Sequence, residues 1–422
     1  MRVLAVFLFA VLSSTLIPSS VAADTLAAGG KPRPSPVVDV VYKREAFPAG
    51  TAEGVSAADR LTFRSPAGTT TYTDALGTKT WEYARWTGRE RPVGFAATEL
   101  VASWTADTPA GSWLQVEMRG RHTGGLTKWY VLGRWAYGEG DIRRTSLPGQ
   151  GDADGTVYVD TFAAKTGKAI SAYQLRVTLY RTPGSSARPV VRTLGAMSSA
   201  VPERTEVPVS PGGGAWGTEL PVPRRSQSVH QGHYPEWDGG GEAWCSPTST
   251  TMVLGYWGRW PSAVDTSWVD PSDPDPEVDY AARYTYDHAY QGAGNWPFNT
   301  AYAGRYGLDG FVTRLRSLTE MERLIAARIP VITSQSFEEE ELPGAGYGTN
   351  GHLMVIIGFT STGDVIANDP ASPSNDAVRR VYPRAAFEKV WLRSTGSGGV
   401  VYVIHPANRP LPPAAVPGQP NW

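Results

Sequence analysis

The hydrophobic pattern of this chain changes its period near residue 200, and that change constrains the fold more than any other feature. From about Val38 to Ala200 the side chains alternate. Leu114, Val116 and Met118 are interleaved with Gln115, Glu117 and Arg119; Trp129, Val131, Gly133 and Trp135 repeat the period, as do Val157 with Val159 and Leu175, Val177 with Leu179. A period of two is that of a strand with one buried face. Turn chemistry separates the runs, at Thr108-Pro109-Ala110-Gly111, Thr123-Gly124-Gly125, Gly149 to Gly155 and Thr182-Pro183-Gly184. With no helical period between these strands, residues 38–200 are predicted to form an all-β sandwich. Residues 201–223 are rich in proline and glycine and read as a linker.

The ends and the composition narrow the class further. Arg2, the apolar run Val3 to Leu12 and the small residues ending Ser20-Val21-Ala22-Ala23 form the pattern of a secretory signal peptide over residues 1–23, so a secreted, extracellular protein is expected. The apolar run is too short to span a bilayer and no later segment is long enough, so no membrane span is expected. Residues 24–37 read as a disordered leader. Lys and Arg total 39 against 40 Asp and Glu, which leaves no net field to draw nucleic acid. The single cysteine excludes an internal disulfide and a cysteine-rich zinc site; the cores must hold by burial alone.

Residues 224–406 mix the two periods, with helices first and an antiparallel sheet after, which predicts an α+β domain. One helix starts at or just after Cys245, with Ser249, Met252, Val253, Tyr256 and Trp257 as its buried stripe. A second follows an Asn295 cap and runs to Gly307. A third opens on a capping box at Thr319-Glu320-Met321-Glu322 and ends near Arg328. Strands are predicted at Ile329–Thr333, Leu353–Phe359, Val365–Asn368, Val378–Tyr382 and Val400–Ile404, with a short helix around Ala385–Trp391. The proline-rich tail, 407–422, reads as loose.

Cys245 lies where three glycines give way to a helix, facing the unpaired amides and the positive end of the helix dipole, both of which favour a thiolate nucleophile. A thiol nucleophile needs a base, and the base needs a group to orient it. Of six histidines, His230 and His233 fall in a loop that reads as mobile, whereas His352 opens a buried strand at its rim and is the candidate base. The orienting group is expected on the return strand. If the hairpin loop holds an even number of residues, Asp369 shares a face with His352; an odd number brings Asn368 there instead, and Asp369 is the first choice. Negative charge on a tetrahedral intermediate needs donors, for which the Cys245 amide and the side chain of Gln227 or Gln231 are candidates.

The order Val-Pro-x-x-x-Gln (Pro223, Gln227), Cys-x-Pro-Thr-Ser (Cys245 to Ser249), Gly-His before hydrophobics (Gly351, His352) and Asn-Asp-Pro (Asn368 to Pro370) resembles the papain-like cysteine peptidases related to the bacteriocin-processing, double-glycine-leader peptidases. It covers about Pro221 to Pro406. The resemblance implies a papain-like fold and amide hydrolysis of a peptide or protein substrate, with Cys245 as nucleophile, His352 as base, Asp369 as its partner and Gln227 as oxyanion donor. No cofactor is required for such chemistry, and no paired ligands at metal spacing appear in the sequence. Ser246 stands where glycine often follows the family cysteine, and there are no transporter segments.

Three further features carry alternatives. Trp81, Trp86, Trp104, Trp113, Trp129 and Trp135 would either form a flat aromatic face for a glycan or cell wall or fill the space between two sheets. The acidic run Asp270, Asp273, Asp275, Glu277, Asp279 lacks calcium-loop spacing and reads as a solvated loop. Glu338 to Glu341 read as an acidic rim or a hydrated loop. The functional rivals are a thiol transpeptidase or cell-wall amidase, and a surface- or glycan-binding protein whose peptidase-like domain is inactive.

Overall fold

The computed structural model describes residues 37–422. The signal-peptide reading and, save for Val37, the leader reading lie outside the described residues. Residues 35–422 make up one compact unit. The chain is mostly β-sheet with few helices, and its N-terminal part is two antiparallel sheets over a shared core. One sheet is built on Glu99–Asp107 paired with Val190–Ala200, the other on Ser112–His122 paired with Ile170–Arg181. The alternating triplets of the sequence meet head-on: Leu114, Val116 and Met118 lie opposite Leu179, Val177 and Leu175, and all six are fully buried. The alternation from Trp129 to Trp135 is broken by a bulge between Val131 and Gly133. Tyr130 and Trp135 therefore point inward opposite Met118 and Leu114, while Trp129 stays half-buried between the guanidinium groups of Arg119 and Arg176.

Of the six tryptophans, Trp129 is half-buried, and Trp81, Trp86, Trp104, Trp113 and Trp135 are buried and form no exposed aromatic face. They are core, as large apolar rings usually are.

The C-terminal part is a six-stranded sheet, antiparallel throughout, in the order Leu308–Arg314, Val400–Pro406, Val331–Phe337, Thr349–Phe359, Val365–Asn368 and Arg379–Tyr382. Its helices are α1 (Cys245–Tyr256), α2 (Pro276–Thr285), α3 (Trp296–Gly304), α4 (Leu318–Ala326) and α5 (Arg384–Leu392). Helix α3 starts at its expected cap, the Asn295 side chain accepting from the Phe298 amide. Helix α4 starts two residues earlier than the capping box suggests, because Ser317 caps it by accepting from Glu320. Helix α2 was not expected at all. Its acids are engaged rather than solvated: Asp275 and Glu277 pair with Arg225, and Asp279 is fully buried.

Two segments that read as slack are held. The stretch 201–223 is laid along α4 and α5. Glu322, buried and paired with Arg384, accepts from the amides of Gly213 and Ala215 and from the Trp216 indole, and Glu388 accepts from the Ser210 amide. Leu220 and Val222 are buried. In the tail, Asn421 is fully buried and its amide donates to Arg314 and Glu320, while Pro420 accepts from the Tyr42 amide of the sandwich. A backbone with such partners is not a spacer.

The sandwich and the C-terminal part share a large interface. Phe298 of α3 packs its ring against Trp104 and Trp135, and buried Arg144 donates to the carbonyls of Arg283 and Tyr286. We expect a single thermal unfolding transition for residues 35–422 by calorimetry, and a cost of about 3–5 kcal/mol for Phe298→Ala. Two well-separated transitions, or a near-neutral Phe298→Ala, would contradict this packing.

Candidate active site

Cys245 stands at the first position of α1, after a turn that ends in Trp244. The helix is buried around its whole circumference from Ser246 to Leu254, wider than the stripe read from its sequence, because α2, α3 and the sheet all pack on it. One turn in, the Ser249 hydroxyl donates to the carbonyl of Leu353. That bond ties the cysteine-bearing helix to the strand residue next to His352. Cys245 itself is half-buried and free. Among the described residues its backbone amide, one of those left over at a helix start, has no acceptor.

His352 is buried at the open end of the strand Thr349–Phe359, and its Nε2 lies 2.8 Å from Asp369 Oδ1. Cys245 lines the same cleft and helps to hold the proton on this ring. With Nε2 engaged by Asp369, Nδ1 is the ring nitrogen left for a second partner. The pairing of His352 with Asp369 rather than Asn368 has a backbone cause. Five residues, 360–364, separate the paired positions Phe359 and Val365, and an odd count alone would turn Asn368 toward the ring. A bulge between Ile356 and Gly358 adds one residue to the first strand and reverses the parity, so Ile356, Ala367 and Asp369 share the face of His352. Asn368 turns away and donates to the carbonyls of Val222 and Pro223.

The bulge is covered by the former linker. The amide of Leu220 donates to Ile357, that of Gly217 to Phe359, and Phe359 returns a bond to Thr218. Gly358 is required there, since a Cβ would come within 2.1 Å of the Thr218 carbonyl oxygen.

Asp369 is fully buried and accepts four hydrogen bonds: from His352 and the Ala371 amide at Oδ1, and from Tyr347 (2.8 Å) and Tyr382 (2.5 Å) at Oδ2. Burial alone would push this carboxyl up, but the His352 charge and hydrogen bond, with the two hydroxyls, overcome it and hold it at about 2. Burial likewise opposes charge on His352, yet the Asp369 charge and hydrogen bond, with Cys245 adding to them, raise it to about 10. The ring is therefore an imidazolium at neutral pH. Burial and the Asp369 charge keep both tyrosines protonated, so each remains a donor.

Gln227 is buried, and its Nε2 donates one hydrogen to the carbonyl of Glu242, leaving the second free. It lines the same cleft as Cys245. Gln231 is exposed and does not line it. The cleft has a volume of about 930 Å³ and is walled on one side by the sandwich, through Tyr158, Asp160 and Thr161, and on the other by Gln227, Cys245 and His352. No other histidine lines it. Glu338 and Glu341 cap a short turn, and Glu341 pairs with Arg393.

Tyr347 and Tyr382 carry no sequence signal, since nothing in their spacing points to a carboxylate. Gln335 was missed too. It lies directly across the ladder from His352, lines the cleft and is buried, with neither amide atom partnered in the protein.

A half-buried sulfur, an imidazole and a buried carboxylate in sequence at the edge of a cleft form the arrangement that thiol hydrolases use. Comparison with known proteins leads to the same class. Residues 38–199 match the family model of the Peptidase C39 N-terminal domain and residues 219–398 that of the Peptidase C39 like family. Each model covers less than half of the chain, and both point to the C39-like peptidases. It is also similar to a solved structure described as a C39-like peptidase from Bacillus anthracis, with 21% identity over 44% of this chain and 96% of that one and a TM-score of 0.28. No curated protein matches.

The raised imidazole and the lowered carboxyl set the pH dependence of stability. The His352 contribution is complete below its unfolded value of 6.5 and is lost as pH rises towards about 10; that of Asp369 is complete above 3.8 and is lost as pH falls towards about 2. Tyr382→Phe removes a donor from the ionised carboxylate, for which we expect a loss of about 1.5–3 kcal/mol at pH 5 and an acid limb displaced to higher pH in urea titrations. An unmoved acid limb would show that the hydroxyl does not act on Asp369.

Proposed function

We propose that this chain is a secreted cysteine peptidase of papain-like layout, with Cys245 as nucleophile, His352 as acid and base, Asp369 as the group that orients it, and Gln227 with the Cys245 amide as oxyanion donors. The observation that carries the reading is the His352 ring held by a buried Asp369 and lining, with Cys245, one cleft of about 930 Å³. The layout is supported by a cysteine at the start of a buried helix that packs on an antiparallel sheet bearing the histidine.

The chemistry follows from the geometry. The thiolate attacks the substrate carbonyl and forms the carbon–sulfur bond, while the carbonyl oxygen takes the negative charge against the Cys245 amide and the spare Gln227 N–H. The imidazolium delivers its proton to the leaving amine as the carbon–nitrogen bond breaks. Neutral His352 then takes a proton from water, which attacks the thioester and releases the acid. No step needs a metal or cofactor. Asp369 accepts throughout and stays ionised. The tryptophan-bearing sandwich contributes a wall of the cleft, so it acts on substrate fit rather than as a detached binding module.

Cleavage of a peptide library, read by mass spectrometry, is expected with the wild type and absent with Cys245→Ala; equal product patterns would end the proposal. Gln227→Ala is expected to lower kcat by about 10²–10³-fold. Iodoacetamide should label Cys245 faster than a free thiol at pH 6–7, and slow labelling that rises only above about pH 8.5 would refute an activated thiol.

A further inference from the structure

A second cluster lies in the loop between Gln227 and Cys245. His230 and Asp279 are fully buried, His233 is partly exposed, and one donor atom from each lies within 4.8 Å of the others. His230 Nδ1 is 3.3 Å from Asp279 Oδ1 and 3.1 Å from Oδ2, and His233 Nδ1 is 3.3 Å from the same Oδ1. The loop that reads as mobile is thus pinned to α2.

These separations are the telling feature. A charge-assisted hydrogen bond between imidazole and carboxylate closes to about 2.7–2.9 Å. Ligand atoms about 2.0–2.1 Å from a shared tetrahedral ion stand about 3.3 Å from one another. Two imidazole nitrogens converge on a single carboxylate oxygen at the second spacing, not the first. His233 also shows the outer partner that metal-bound histidines use, since its Nε2 faces Asp273 Oδ1 at 3.5 Å. Trp237, Trp244, Val278 and Ala282 form an apolar core at the same loop and helix, a dry setting that strengthens electrostatic contacts.

We propose that His230, His233 and Asp279 bind one divalent transition-metal ion of the zinc type. Imidazole and carboxylate donors suit zinc rather than calcium, which takes oxygen ligands. The exposed side of His233 leaves room for water as the fourth ligand. The role is structural: the ion clamps the loop that runs from Gln227 to Cys245 onto α2. The ligands escaped sequence analysis because Asp279 lies 46 residues beyond His233.

The test uses the full chain, freed of metal by chelator and dialysis, in a Cys245→Ala background that removes the active-site thiol as a competing ligand. Calorimetric titration with zinc chloride is expected to give one tight equivalent and a raised thermal midpoint, and cobalt(II) is expected to give the visible absorption of a four-coordinate ion. His233→Ala, chosen because its side chain is partly exposed, should abolish the tight equivalent, and Asp273→Asn should weaken it about 10–100-fold. No stoichiometric binding, or binding of equal strength in His233→Ala, would overturn the proposal. So would binding that needs Cys245 and is indifferent to His233.

Discussion

The carboxylate of Asp369 sits where water cannot reach it, and a charge in that position is tolerable only if its lone pairs are filled. Four donors fill them, and each comes from a different piece of the fold: a strand end, a loop, an edge strand and the residues just past Pro370. The charge in turn keeps the imidazole protonated and aimed. Removing the anion would leave His352 buried, where the loss of hydration opposes its proton. The acid–base character of the cleft is thus assembled by the whole sheet rather than by three residues.

Much of the architecture was legible because burial leaves a period. The triplets Leu114–Met118 and Leu175–Leu179 advertised two strands, and their direct pairing follows from both being inward faces of one ladder. The cysteine at a loop-to-helix junction and the Gly351-His352 pair ahead of an apolar run stood out for the same reason: a reactive or titratable side chain on a rigid element interrupts a pattern. Where pattern was lacking, the reading went astray. Residues 201–223 and 407–422 have the composition of slack chain, and what holds them is a set of hydrogen bonds from backbone amides and the Asn421 side chain to buried acids and carbonyls, which composition does not encode. Helix α2 hid behind prolines and aspartates, because a proline at the first turn and acids near the dipole's positive end are helix starters that also look like a loop.

The sandwich illustrates a different limit. Counting tryptophans cannot tell a face from an interior, and here the rings are spent on packing, some of it against α3 across the interface. The two parts then meet around the cleft, so its shape belongs to neither alone. Among the described residues no helix is long and apolar enough to cross a membrane.

The extra residue at Ile357 has a consequence for how this hairpin can change. Whether the imidazole meets an anion or a neutral amide is set by a tally of positions between 352 and 369, with Asn368 and Asp369 both waiting at the end of it. Losing one residue from the turn or from the bulge would exchange the two without any side chain being altered. Chain length over this short span is therefore under the same restraint as residue identity, since an insertion or deletion of one residue here changes which group faces His352.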